Sequence, residues 1–376
     1  MNLLYDFRAY QEFYPRGVSR YVYELFTNAI LLNPGINGIL IDRCKKMPDF
    51  PGEIYRKINV YDIDSFEKGN VKGQFDVFIS GSSTWLGLQE YNAIDILYPE
   101  PVLKQSRKIV SILYDFVPLI YSHYLPTVHD QINYFLQCEA LRYVDHIFTI
   151  SQYVSSSGMR YLGRMSEDFT CLYGGADMGR FQTKNTKKRY QGKKRNHNLV
   201  NVSGICVRKN FEGVTKAFCL AYLSQKLPQD AKLYIICSSA DFFEKTIRST
   251  AEKYGLKYGK QVVATGFLSD RKMAEMIADA RCSIFPSYYE GLGLPILESY
   301  MAGTPCIASN ISATKEFVLE KASFNPFDLD DMARKIIQVY NDEQLCSESL
   351  AYGRKLLEHI NWENSAHVFI QKLQKL

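Results

Sequence analysis

The residues best equipped for chemistry lie in SIFPSYYEGLGLPILESYMAGTPCIAS, residues 283 to 309. An apolar run ends at Phe285, a loop carries Tyr288, Tyr289, Glu290, Gly291, Leu292 and Gly293, and a helix is expected to open at Leu294–Pro295. Proline is tolerated in a first helical turn because its missing N–H would have no partner there. The glycines let backbone amides approach a ligand. The helix start adds unpaired donors and a partial positive charge, which suit a diphosphate. Glu290 precedes the turn and Glu298 sits about one turn inside the helix. Carboxylates accept hydrogen bonds from paired hydroxyls and repel phosphate, so they suit sugar and ribose rings. Amides for phosphate and carboxylates for hydroxyls match the two halves of a nucleotide-sugar.

A second anchor is NVSGICVRKNFEGVTKAF, where a strand runs to Gly204 and Arg208, Lys209 and Asn210 are expected to open the next helix. A guanidinium and an ammonium there would neutralise a leaving nucleoside diphosphate. Gly291-x-Gly293 is not a dinucleotide fingerprint, because Ile296 replaces the third glycine and the first βα turn has no G-x-G-x-x-G. The six histidines show no metal-ligand spacing. Asp62-Ile63-Asp64 has the letters of a metal pair but lies in a polar, loop-like region away from the other motifs. No metal or cofactor is expected. Stabilising a leaving group then falls to Arg208, Lys209 and the helix start.

These residues need a scaffold, and the chain alternates strand-like and helix-like segments. MNLLYDF, NGILI, DVFIS, KIVSILYDF, DHIFTIS and FTCLYGG read as strands, with helices in VSRYVYELFTNAILL, HDQINYFLQCEALRYV and QYVSSSGMRYLG. After about residue 198 the alternation restarts through NLVNVSG, KLYIIC, QVVATGF, CSIFPS and PCIAS, each followed by a helical pattern, and the tail from Asp328 reads as helices. Short Val/Ile/Phe-rich runs between helices imply buried parallel sheets. The expected organisation is an α/β first domain over residues 1–180, a basic linker over 181–197, a second α/β domain over 198–360, and a terminal helix over 361–376 that crosses back to the first domain. Ligands bind such sheets at the carboxyl ends of their strands, so a cleft between the domains is the expected place for chemistry.

Composition narrows the classes. The chain has 376 residues, 46% hydrophobic and 23% charged, which is ordinary for a globular protein of two domains. Nine scattered cysteines without a C-x-x-C pair read as buried thiols in a reducing compartment. Asp6 and Arg8 interrupt any apolar leader, and no stretch reads as a membrane span, so a cytoplasmic protein is expected. The net charge of +5 is concentrated between Lys184 and Arg195, where seven cations stand without an acid. A nucleic-acid face would spread across elements and interleave with aromatics. This run reads instead as a solvated linker, with contact to an anionic membrane surface as the other reading.

E-G-L-G-L-P-I-L-E resembles the E-x7-E signature of the large retaining glycosyltransferase family four, which has the GT-B fold of two facing Rossmann-like domains. The resemblance implies that Glu290 contacts the transferred sugar and Glu298 the ribose hydroxyls. It places Gly291 and the amides of Leu292, Gly293 and Leu294 near sugar and diphosphate. Gly204 and Lys209 match the family's G…RKN segment, with Ile205 where many members have arginine and Arg208 beside it to compensate. Phe267, closing QVVATGF, falls on the same donor wall. On the acceptor side, RGVSRYVYEL resembles the family's first loop, with Gly17 in place and Ser19 for the second glycine. ILYDFVPLIYSHYLP resembles its H-D-x-x-P segment, with Tyr114 for the histidine, then Asp115, and His123 beyond as a cleft or solvated loop residue. DHIFTIS ends on the matching Ser151. YGGAD and NWENSAHVFI extend the likeness to both sides of the second domain. The family implies a metal-independent, front-face transfer with retention, in which Glu290 orients the sugar. Within it the chain looks most like bacterial mannosyl- and rhamnosyl-transferases of surface polysaccharide assembly. GDP-mannose is the first expectation for donor, with a glycan or lipid-linked acceptor at the inner membrane face. A sugar-nucleotide 2-epimerase and a non-catalytic binding subunit are the alternatives.

Overall fold

The computed structural model describes residues 1–14, 17–71, 73–84, 93–176, 196–204, 206–237 and 240–376. The basic run Lys184–Arg195 and Ile205 therefore lie outside the described residues. The chain divides into two compact units, Met1–Gly174 with Ile360–Leu376, and Gly175–His359.

In the first unit the described strands are β1 (Leu3–Asp6), β2 (Asn37–Ile41), β3 (Ile58–Asp62), β4 (Phe75–Ser80), β5 (Ser106–Leu113), β6 (His146–Thr149) and β7 (Phe169–Cys171). All pair parallel in the order β3-β2-β1-β4-β5-β6-β7. β1, β2 and β6 are buried along their whole length, because helices cover both faces, and they read as continuous apolar runs. β3 is different. It is an edge strand with Asn59 and Val60 exposed, so it carries no apolar run, and the region expected to be a loop is strand up to Asp62. Asp62 then caps the helix Ile63–Glu67, its Oδ1 accepting from the Ser65 N–H at 2.8 Å, and pairs with Arg43. The Asp62-x-Asp64 letters are explained by this cap.

The helix Trp362–Leu373 belongs to the first unit and packs on the helix Gly17–Leu32. Trp362 meets Tyr21 edge-on at 5.0 Å, and Phe369 lies 4.6 Å from Phe148. Ser365 Oγ donates to the Leu172 carbonyl at 2.7 Å and accepts from the Gly174 N–H at 3.1 Å. Gly174 has φ +100°, and a Cβ there would come within 2.7 Å of the Tyr21 ring. Only glycine fits.

In the second unit the described strands are β8 (Leu199–Val202), β9 (Leu233–Ile236), β10 (Val262–Ala264), β11 (Cys282–Phe285), β12 (Cys306–Ser309) and β13 (Ser323–Phe324), again all parallel, in the order β10-β9-β8-β11-β12-β13. Both sheets therefore run outward in opposite directions from an adjacent pair, β1/β4 and β8/β11, which is the doubly wound arrangement. Crevices that bind ligands form beyond the carboxyl ends of those pairs. Among the described residues no helix is long and apolar enough to cross a membrane, and the nine cysteines form no disulfide.

Candidate functional site

The loops after β8 and β11 meet at the reversal point of the second sheet. Inside it, Asn201 on β8 donates to the Ile284 carbonyl of β11 at 2.9 Å and holds the two strands in register. Beyond β8, Val207–Lys209 forms one 3₁₀ turn rather than the start of the next helix. Asn210 follows in the left-handed conformation, φ +53°. Its side chain explains the strain: Oδ1 accepts from the Gly213 N–H at 3.1 Å, capping the helix Phe211–Leu223, and Nδ2 donates to the Pro286 carbonyl at 3.1 Å and to Pro326 at 3.3 Å. Asparagine tolerates this backbone because its short polar side chain bonds locally. The consequence is directional. Arg208 and Lys209 sit on a tight turn fastened to the β11 loop, not on a solvated helix end.

Beyond β11, the Tyr288 N–H donates to the Arg208 carbonyl at 2.7 Å, and Arg208 Nη1 donates back to the Tyr289 carbonyl at 2.9 Å. Glu290, 6% exposed, stands between two cations, with Oε2 2.8 Å from Arg208 Nη1 and Oε1 2.7 Å from Lys209 Nζ. Burial alone would push its carboxyl up, but Lys209 and Arg208 outweigh it and hold the group down at about 2. Glu290 is thus a carboxylate at neutral pH, an acceptor of hydrogen bonds and not an acid. Lys209 Nζ also lies 5.0 Å from the centre of the Phe285 ring, and a Cβ added at Gly204 would come within 3.9 Å of the lysine stem. One carboxylate and two cations leave a local surplus of positive charge.

The turn ends at Gly293, φ +108°, which opens the helix Leu294–Met301 with proline in its first turn, as the sequence led one to expect. Leu292 is buried, and Glu298 is buried inside this helix at 5% exposure. Gly291 lies between Glu290 and Leu292 and is buried with them. Three residues that sequence reasoning passed over belong here. Ser312, φ +51°, accepts the Glu290 N–H on its hydroxyl at 3.0 Å, Phe285 faces Lys209, and the Ser287 hydroxyl is fully buried without a hydrogen-bond partner. Nothing local in SNISAT signals that Ser312 will reach Glu290. Phe267 is 79% exposed on the loop after β10.

In the first unit the candidates take the following places. Gly17 is the exposed first residue of the helix Gly17–Leu32. Tyr114 is buried, its hydroxyl donating to the Gly81 carbonyl at 2.9 Å and its ring edge-on to Tyr21. Asp115 follows β5 and accepts the Val117 N–H on Oδ1 at 2.9 Å. Ser151 is buried and caps the helix Gln152–Leu162. His123 is exposed between Tyr121 and Tyr124, 4.5 Å from the latter ring. Among the described residues no group of three or more His, Cys, Asp or Glu is gathered as a metal would need.

Known proteins similar to this chain bear on its fold and family. Residues 183–356 match the family model described as glycosyl transferases group 1. The serotype-specific mannosyltransferase WbdA of Escherichia coli is 28% identical over 278 residues, 72% of this chain and 34% of WbdA. The chain thus spans about a third of the length of that relative. O-antigen chain mannosyltransferase B of Escherichia coli is 29% identical over 42% of this chain and 40% of its own. Anabaena HepE, solved with UDP and glucose, superposes over the whole of both chains with TM-score 0.70 at 15% identity. The fold is therefore GT-B, and the chain is similar to the glycosyl transferases group 1 model over residues 183–356 and to the mannosyltransferases of Escherichia coli over part of its length.

Proposed function

We propose that this chain transfers a hexose from a nucleotide-sugar onto a glycan or lipid-linked glycan in cell-surface polysaccharide synthesis, at the cytoplasmic face of the membrane. The observation that carries the reading is Glu290 bridging Arg208 and Lys209 at the reversal point of the second sheet, beside a glycine-opened helix start. A diphosphate would find two cations and the positive end of a helix there, and its departure would draw on the charge of the two cations. Glu290, ionised and buried, would take the donor sugar's hydroxyls as hydrogen-bond acceptor and hold Arg208 and Lys209 in place until the phosphates arrive. Glu298 would hold the ribose. Asp115 and the residues around it in the first unit would serve the acceptor.

The retained configuration, the independence of metal and the choice of GDP-mannose are the finer parts of the proposal. The mannosyltransferase relatives favour mannose, while HepE was solved with UDP, so the donor base is an experimental question. A thermal-shift screen against GDP-, UDP-, dTDP- and ADP-sugars tests the pocket, and a stabilisation by one of them is expected. Nucleoside diphosphate release that depends on a glycan acceptor and persists in chelator tests the chemistry. Absence of any shift would overturn the reading. Interconversion of sugar-nucleotides without an acceptor would favour an epimerase instead.

A further inference from the structure

A cavity of about 410 Å³ lies in the first unit at the carboxyl ends of β2 and β3, beside the end of β1. Its place is where parallel sheets bind ligands, and its volume is that of a small-molecule cleft. None of the residues assigned above lines it.

Its charge decides what it could take. Arg8, Arg43 and Lys45 face it, against Glu12, Asp42, Asp62 and Asp64. A further carboxylate, Asp6, grips Arg8 from behind, accepting from Nε and Nη2 at 2.8 Å each and from the Arg8 N–H at 3.0 Å. Arg43 pairs with Asp62, and Lys45 with Glu12. The cations are each matched and the carboxylates are in excess, so a phosphate would be repelled. Three cations among the carboxylates equally oppose a metal ion. A neutral, hydroxyl-rich ligand meets neither objection. The carboxylates can accept hydrogen bonds from hydroxyls and the guanidinium groups can donate them, and Ile41, Ile63 and Ile96 line the cavity with apolar surface for the C–H face of a ring. Lys45 and Glu12 are each about two-fifths exposed, and such surface pairs re-form around hydroxyls at little cost. Arg8 is buried and fixed, so that part of the wall needs no ordering when a ligand arrives.

We propose that this cavity is a subsite for one neutral pyranose of a glycan. That the glycan is an acceptor rests on the glycosyltransferase reading; the binding itself does not. Titrating the full chain with mannotriose, followed by saturation-transfer NMR and calorimetry, tests it. Glu12→Gln and Ile96→Trp, the second filling the space, are each expected to weaken mannotriose binding about tenfold or more. The shift in melting temperature given by the nucleotide-sugar should stay the same, which also reports that both variants fold. In a turnover assay the acceptor KM rises while the donor KM does not. Equal affinity in wild type and both variants, no binding at millimolar mannotriose, or displacement of mannotriose by inorganic phosphate would each sink the assignment. If mannotriose binding is sensitive to the variants but no nucleotide-sugar is bound or turned over, the enzyme reading fails and the subsite stands.

Discussion

At the reversal point of the first sheet one carboxylate, Asp6, meets one guanidinium, Arg8. At that of the second, one carboxylate, Glu290, meets two cations, Arg208 and Lys209. The strand orders are the same but for one extra edge strand in the first sheet, so the fold does not account for the contrast. In the first pair both residues are buried, three hydrogen bonds join them, and one charge balances the other. The second joins one carboxylate to two cations. A buried and balanced pair holds structure together, whereas an unbalanced one is ready for an anion.

Substitutions should separate the two most sharply. Arg8→Ala leaves Asp6 buried and unpaired, and a loss of about 3–5 kcal/mol in urea unfolding is expected, with nucleotide-sugar binding retained at temperatures where the variant is folded. Lys209→Ala leaves Glu290 its arginine, so stability changes little. Turnover should instead fall about 10²–10³-fold, the effect of losing one donor to a developing anion. If Lys209→Ala turned over normally, the idea that the surplus cation serves chemistry would be lost.

Acid should act on the two units in different windows. His146 is buried on β6, its Nε2 2.9 Å from Thr170 Oγ1. Burial, with Lys372 and Arg164 nearby, pushes it down to about 4, Asp168 opposing. The unfolded chain, near 6.5, takes up a proton that the folded chain refuses. Stability of the first unit should therefore fall as pH drops from about 6.5 towards 4, by on the order of 2–3 kcal/mol. Glu290 works at lower pH. Its depressed value means that its contribution is complete above about 4.3 and is lost only as pH falls towards 2. Urea unfolding at pH 7.5 and pH 5, monitored by hydrogen exchange in each sheet, reads the difference. His146→Gln should flatten the response of the first sheet alone.

The smallest contrast lies in two helix caps. Ser151 caps its helix through its hydroxyl, which accepts the Val154 N–H at 3.1 Å, and Ser151→Ala should cost about 1 kcal/mol. Asn210 caps while also bonding two carbonyls in a left-handed backbone, so Asn210→Ala should cost about 2–3 kcal/mol and also raise the donor KM, because the turn bearing Lys209 loosens. Equal costs at the two positions would show that the Asn210 bonds to Pro286 and Pro326 contribute nothing measurable.

Much of the architecture was legible because parallel strands covered on both faces must be apolar along their length. NGILI, read as a strand, is β2 from end to end, and DVFIS falls within β4. β3 was not legible for the converse reason, since an edge strand needs no apolar run, and β13 is only two residues long. The Glu290 turn could be read from spacing, because glycine at positive φ and proline in a first helical turn are local requirements. The 3₁₀ turn at Arg208 could not, since its carbonyl and side chain are set by contacts with Tyr288 and Tyr289 on a distant loop.

The sequence by itself determined the alternation of strands and helices, the glycine-opened helix start and the supply of charged residues at strand ends, all of which depend on neighbours a few positions away. Tertiary structure alone decided which charges meet. Glu290 gained two cations and a depressed pKa, Arg8 was closed off by Asp6, and Asp62 became a cap beside a cavity, because burial and Coulomb attraction act through space between loops that the sheet order brings together.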